Sequence, residues 1–141
     1  MAFQLDDSTP YGSRVARRLE VEAIAWLTTV GASGAPAPVP VWFLWDGASF
    51  LLYSRPGQPK LANIERSPRV TLHLESDGRG GDVVVVGGLA RLAPGEPPAD
   101  QVPAYVEKYA WGFQRIGMTA ATFAATYSVP IRIEPRSLRG H

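Results

Sequence analysis

The run Ala37-Pro38-Val39-Pro40-Val41-Trp42-Phe43-Leu44-Trp45 is apolar at every position. As a strand it turns Val39, Val41, Phe43 and Trp45 to one side, and Pro40, Trp42, Leu44 and the following Asp46 to the other. A sheet with one wet face shows apolar and polar residues in alternation. This run does not alternate, so both of its faces need cover. One face can fill a core. The other needs helices, a second subunit or a planar ligand. The preceding apolar segment has the same excess, with Trp26 opposite Leu27. The pattern predicts a β architecture that either pairs as a homodimer or closes its second face with helices from residues 102–127.

The other segments read around this one. Residues 13–22 have the spacing of a short helix, with Arg14, Arg17 and Arg18 outward. Strands are predicted at 24–30, 37–45 and 49–54, joined by the Gly31–Pro36 turn and the Asp46-Gly47 hairpin signal, as an antiparallel meander. A helix over 58–67 stops at Ser67-Pro68. Strands follow at 69–75 and 83–92, and the Gly87-Gly88 pair in the second marks a bulge or sharp bend. Helices are predicted over 102–116 and 119–127, with Thr119 as a cap. Residues 129–134 alternate as a last strand, and Pro130 and Pro135 place it at a sheet edge. These elements do not alternate as βαβ units, which argues against a parallel Rossmann sheet, and Gly31 and Gly34 lie between strands, so the dinucleotide fingerprint fails on context. The predicted class is mainly β (α+β): a six-stranded antiparallel split barrel with short flanking helices, one domain over 1–141.

Composition removes several function classes. The chain has no cysteine, hence no disulfide framework, thiolate zinc site or cysteine nucleophile. Fourteen basic and 13 acidic residues leave a net charge of +1, which makes no electrostatic case for nucleic acid. No apolar run approaches the roughly 20 residues that span a bilayer. The segment Met1–Asp7 is acidic and lacks the apolar stretch of a secretory leader, so the cytoplasm is the expected location. His73 and His141 are the only histidines. A Ser-His-Asp triad would have to use His73, whose strand neighbours Thr71 and Glu75 mark an ordinary polar face. No carboxylates have metal-ligand spacing, and Asp77 and Asp82 flank a glycine-rich turn. Neither a metal nor a catalytic residue is assigned.

One segment carries binding chemistry. Tyr53-Ser54-Arg55 ends a strand, Pro56-Gly57-Gln58-Pro59 turns, and Lys60 opens a helix. Free amide groups at a helix start attract anions. Ser54 adds a hydroxyl, Arg55 a planar fork and Lys60 a point charge, with Asn63 one turn along. Tyr53 and Gln58 belong to the same segment. Pro59 removes an amide donor just before Lys60. Lys60 and Lys108 are the only lysines among the fourteen basic residues.

In combination, Val39-Pro40-Val41-Trp42, Tyr53-Ser54-Arg55-Pro56, Lys60-Leu61-Ala62-Asn63-Ile64 and Ser67-Pro68-Arg69-Val70 resemble the flavin-binding split β-barrels related to pyridoxamine 5′-phosphate oxidase. The narrower resemblance is to actinobacterial members described as probable deazaflavin (coenzyme F420)-dependent enzymes. It implies a homodimer with cofactor sites between subunits. Ser54, Arg55 and Lys60 would hold a cofactor phosphate, supported by Asn63. Pro40, Val41 and Trp42 would lie near the ring, and His73 and Trp111 would reach the partner's site. The expected function is an oxidoreductase passing hydride from reduced F420 to an unsaturated or carbonyl-containing small molecule. The alternatives are FMN in the same fold and a carrier that binds the cofactor without turnover.

Overall fold

The computed structural model describes residues 3–141. Met1 and Ala2, which begin the segment considered above for a leader, lie outside the described residues. Helix α1 (Pro10–Val21) leads into strands β1 (Ala25–Val30), β2 (Pro36–Val41), β3 (Leu44–Trp45) and β4 (Phe50–Ser54). Then come α2 (Pro59–Arg66), β5 (Arg69–His73), β6 (Val84–Leu92), α3 (Pro103–Arg115), α4 (Ala120–Thr126) and β7 (Val129–Gly140). Seven antiparallel strands form one sheet in the order β2-β1-β5-β6-β7-β4-β3.

The expected strand over 37–45 is two strands. It breaks at Trp42-Phe43, and its halves occupy opposite edges of the sheet. Only three peptide units separate Val41 from Leu44, a span of at most about 11 Å. The two edges therefore meet at this corner, and the sheet has to curl into a split barrel. The expected three-strand meander is corrected for the same reason: β4 pairs with β3 and β7, not with β2.

At the break, the Phe43 backbone leaves the ladder and helix α3 supplies its partners. The Tyr109 hydroxyl accepts from the Phe43 N–H at 2.8 Å. It lies 2.7 Å from the Ala23 carbonyl and 3.0 Å from the Phe43 carbonyl, and its single hydrogen serves one of them at a time. The Lys108 ammonium donates to the Phe43 carbonyl at 2.8 Å and sits 3.8 Å from the Phe43 ring centroid.

The break also resolves the two-sided apolar pattern. Phe43 joins the inner core with Leu27, Phe50, Leu52, Leu72, Ile131 and Ile133, closed by Val15 and Leu19 of α1 and Leu61 and Ile64 of α2. Trp42 and Leu44 pack into a second cluster with Leu51 and Tyr53 beneath Tyr105, Tyr109, Phe113 and Phe123 of α3 and α4. Helices thus cover the second face at the β3–β4 end. At the other end Pro36, Pro38 and Pro40 are exposed and Trp26 is half-buried.

Strand β7 is not at an edge, as its prolines suggested, but central between β6 and β4. Pro135 faces Gly88 where the register shifts at Gly87/Gly88, so the missing amide falls on a bulge. A Cβ on Gly88 would stand 2.7 Å from the Glu134 carbonyl oxygen, so only glycine allows this approach. At the other proline, the Pro130 carbonyl accepts from the Ala93 N–H at 2.9 Å.

Prolines mark the true edge instead. The Gly31 N–H donates to the Ala35 carbonyl at 2.8 Å, which sets the phase of the β1–β2 ladder. By alternation Thr29–Ala37, Leu27–Val39 and Ala25–Val41 are the hydrogen-bonded pairs. Pro36, Pro38 and Pro40 fall between them, where an N–H would point off the sheet. The free edge of β2 is stripped of donors and resists strand addition. Replacing Pro36 and Pro38 by threonine restores two outward donors. The double variant is expected to form concentration-dependent assemblies larger than wild type in sedimentation velocity. Tyr109→Phe deprives the Phe43 N–H of its acceptor in a buried site, and urea denaturation is expected to show a loss of about 1–3 kcal/mol.

Candidate functional site

The corner at which the chain crosses from β2 to β3 forms one wall of a cavity of about 270 Å3. Pro40, Val41 and Trp42 supply that wall. Tyr53 comes from β4, Lys60 from the first turn of α2, Ile116 from the end of α3, and Phe123 and Tyr127 from α4 and its C-cap. The cavity is predominantly aromatic and carries one cation.

Four rings stand in a row through this region. Trp42 stacks on Tyr109 at 4.6 Å with planes 6° apart, and on Phe123 at 5.4 Å. Phe123 stacks on Tyr127 at 4.4 Å. The Arg55 guanidinium lies 5.6 Å from the Tyr127 ring centroid and caps the row. Such a row fixes the Trp42 side chain from both sides, so this wall is stiff before any ligand arrives.

Lys60 is half-buried, and among the described residues its ammonium has no side-chain hydrogen bond or ion pair. Burial lowers its pKa from the ordinary lysine value because no charge offsets the lost hydration. Arg55 is exposed and makes no ion pair among the described residues. Other arginines are committed: Arg18 to Glu22 and Asp82, Arg132 to Asp46 and Glu96. The cations available to an anion here are therefore Lys60 inside the cavity and Arg55 beside it.

The structure brings five candidate residues, Pro40, Val41, Trp42, Tyr53 and Lys60, into one cavity. The others stand apart from its lining. Ser54 is buried, and its hydroxyl donates to the Arg55 carbonyl at 2.9 Å. Gln58 is exposed as the N-cap of α2 and makes no capping bond through its side chain. The Asn63 amide donates to the Thr29 hydroxyl at 3.0 Å and accepts from Arg66 at 2.8 Å, which ties α2 to β1. His73 pairs with Trp26 and Val85 across the sheet, with a ring nitrogen 3.2 Å from the Leu74 carbonyl. Trp111 is exposed on α3, 6.2 Å from the Trp42 ring.

Ile116, Phe123 and Tyr127 line the cavity but did not stand out in the sequence. The available signal was aromatic spacing of four residues, Tyr105, Tyr109 and Phe113 on α3 and then Phe123 and Tyr127. The Tyr105 hydroxyl lies buried within that cluster with no hydrogen-bond partner among the described residues. Tyr53 spans the region: its ring faces the cavity and its hydroxyl donates to the Pro97 carbonyl at 2.7 Å. Burial pushes the Tyr53 pKa up to about 12, so the phenol stays protonated at neutral pH. A larger cavity of about 470 Å3 lies beside the loop over 93–98 and holds none of the candidate residues. Its one charged lining group, Glu96, is held by Arg132 at 2.7 Å.

The family profile described as pyridoxamine 5′-phosphate oxidase matches residues 13–135, which take in both the curled sheet and every wall of this cavity. The chain belongs to the pyridoxamine 5′-phosphate oxidase family. Solved structures agree on the fold. A Listeria innocua protein named for pyridoxamine 5′-phosphate oxidase is 24% identical, with 90% of this chain and 94% of that one covered and a TM-score of 0.67. An F420 reductase is 21% identical over 87% of this chain and 94% of that one, with a TM-score of 0.65. HutZ, the heme storage protein from Vibrio cholerae, is 14% identical over 98% and 95%, with a TM-score of 0.63. No curated protein matches significantly. The split barrel is thus shared with proteins whose names point to more than one ligand chemistry. Among the described residues no helix is long and apolar enough to cross a membrane.

The bonds made by Asn63 define its part in this fold. Asn63→Ala leaves the Thr29 hydroxyl and Arg66 without their partner. It is expected to cost about 1–2 kcal/mol in urea denaturation and to change the affinity for a phosphate-bearing flavin by less than about threefold (roughly 0.7 kcal/mol) in a tryptophan-quenching titration.

Proposed function

We propose that this chain is a homodimeric oxidoreductase that binds F420 and passes hydride from its reduced form to an unsaturated or carbonyl-containing small molecule. The observation that carries the reading is the single cavity in which Pro40, Val41, Trp42 and Tyr53 surround Lys60, which has no ion pair among the described residues. Its volume of about 270 Å3 is near the low end for ligand pockets, roughly 300–1,000 Å3. That suits a flat ring system whose tail leaves the cavity. The edge of the Trp42 ring, whose two faces are already stacked on Tyr109 and Phe123, and the phenol of Tyr127 suit the rim of the ring. Lys60 and Arg55 suit the phosphodiester and the anionic tail. The exposed prolines of β2 and half-buried Trp26 favour a second copy covering that end of the sheet.

When bound, a reduced deazaflavin supplies the hydride, and the protein supplies orientation and electrostatics. Half-buried Lys60 neutralises the ligand's phosphate through a charge-assisted contact, which is stronger than a neutral hydrogen bond. Trp42, clasped between Tyr109 and Phe123, gives the ring a rigid wall to rest against. Tyr53, protonated throughout the neutral range, offers a wall that stays uncharged.

A tryptophan-quenching titration with F420 and with FMN tests this. Wild type is expected to bind F420 at micromolar concentration or tighter. Lys60→Ala is expected to bind about 10- to 150-fold more weakly, the equivalent of about 1.5–3 kcal/mol. Affinity is expected to fall as pH rises through the Lys60 pKa. Burial holds that pKa below the ordinary 10.5, so the fall begins at lower pH than for an exposed lysine. No binding of either cofactor overturns the reading. A yellow protein that releases FMN on denaturation replaces F420 with FMN. Binding without oxidation of the reduced cofactor by enones or quinones makes it a carrier.

A further inference from the structure

Two of the four tryptophans lead from the cavity to the surface. Trp42 lines the cavity and is half-buried. The Trp111 ring centroid lies 6.2 Å from it, and Trp111 is 48% exposed. Gly112 sets this spacing. A Cβ there would stand 2.6 Å from the Trp42 ring, so the backbone of α3 lies directly against Trp42, one residue from Trp111. The Trp111 indole N–H donates to the Lys108 carbonyl at 2.9 Å, which fixes the outer ring as the stacking fixes the inner one. The other two tryptophans stand elsewhere. Trp45 packs on Phe50 against the inner core, and Trp26 of β1 donates to Glu75.

A flavin-like ring can accept single electrons, most readily when excited by light, and an aromatic side chain in contact with it is the nearest source. Tyrosine is a poor source here. A phenol sheds its proton when oxidised, and the Tyr53 and Tyr109 hydroxyls face backbone carbonyls, which accept hydrogen bonds but are not bases. An indole can lose an electron and keep its proton, which leaves Trp42 as the donor. The resulting positive charge is badly placed at Trp42, in the half-buried cavity that also holds Lys60. At Trp111 it meets water and the oxygen of the Lys108 carbonyl, and both favour a charged ring. Transfer from Trp42 to Trp111 therefore runs downhill over a short, fixed gap.

We propose that Trp42 and Trp111 form a one-electron route between the cavity and solvent. Trp42 gives one electron to the light-excited ring and becomes a radical cation. Trp111 gives one electron to Trp42, restores it and takes over the radical. A thiol in solution gives one electron to Trp111 and departs as a thiyl radical and a proton. The sum is one electron moved from the thiol to the ring, with both tryptophans returned to their starting state. The inference rests on the flavin-like reading above and adds one-electron traffic that hydride transfer does not use.

The test is anaerobic laser flash photolysis of the full chain saturated with FMN, or with F420 if the quenching titration shows that only F420 binds. Wild type is expected to give a long-lived tryptophan-radical absorption, because the exposed ring holds the radical away from the cavity. Trp111→Phe confines the radical to Trp42, where it recombines, and is expected to lose the long-lived signal. Trp45→Phe removes a tryptophan outside the route and is expected to retain it. Saturable binding by each variant reports an intact fold. Dithiothreitol, for which the chain has no cysteine to react with, is expected to shorten the wild-type signal. A signal in Trp111→Phe as long-lived as in wild type, its loss in Trp45→Phe, or no tryptophan radical in wild type with the cofactor bound overturns the route and leaves the cavity assignment standing. Failure of FMN and F420 alike to bind overturns both.

Discussion

The hydrogen bonds that α3 makes to Phe43 hold the two edges of this protein together. A chain that leaves one edge strand and enters the opposite one must pass through a residue paired with neither. Phe43 is that residue, and its backbone N–H and carbonyl are buried. Unpartnered, they would oppose the fold strongly. Tyr109 and Lys108 satisfy them from one turn of one helix. The same contacts seat α3 over the sheet, so the corner and the helical cover form as a unit.

The cavity is a product of that corner. Val41 ends one edge, Trp42 turns outward, and Phe43 turns into the barrel. With Trp42 clasped between Tyr109 and Phe123, its wall is rigid, while Lys60 approaches from the separate helix α2. A stiff aromatic wall facing a cation with no ion pair among the described residues is the basis of the proposed ligand, a planar ring with an anionic tail. The prolines of β2 serve the same place in a second way. They close the outer edge, next to the cavity wall at Pro40, to strand pairing.

Much of this was legible in residue order. The helices lie within three residues of their expected bounds, and Thr119 forms a capping box with Thr122. Gly87-Gly88 is the site of the register shift it suggested. Tyr53 and Lys60 were found through turn chemistry and charge. Phe123 and Tyr127 were not, because an aromatic on a short amphipathic helix reads as core until its neighbours are known. Asn63 was a candidate by its position one turn along from Lys60, and His73 through the resemblance alone. Position along α2 does not say which face meets β1, and the Asn63 amide is engaged there by Thr29.

The sequence by itself determined the local states: where strands and helices run, which faces are apolar, and that no cysteine chemistry is available. These follow from side-chain period, turn residues and composition, which act over a few positions. Only the tertiary structure decided that residues 37–45 serve two opposite edges and that β7 lies at the centre of the sheet despite its prolines. Strand order depends on long-range pairing. A local pattern is compatible with several pairings until a buried group such as the Phe43 amide has to find its partner.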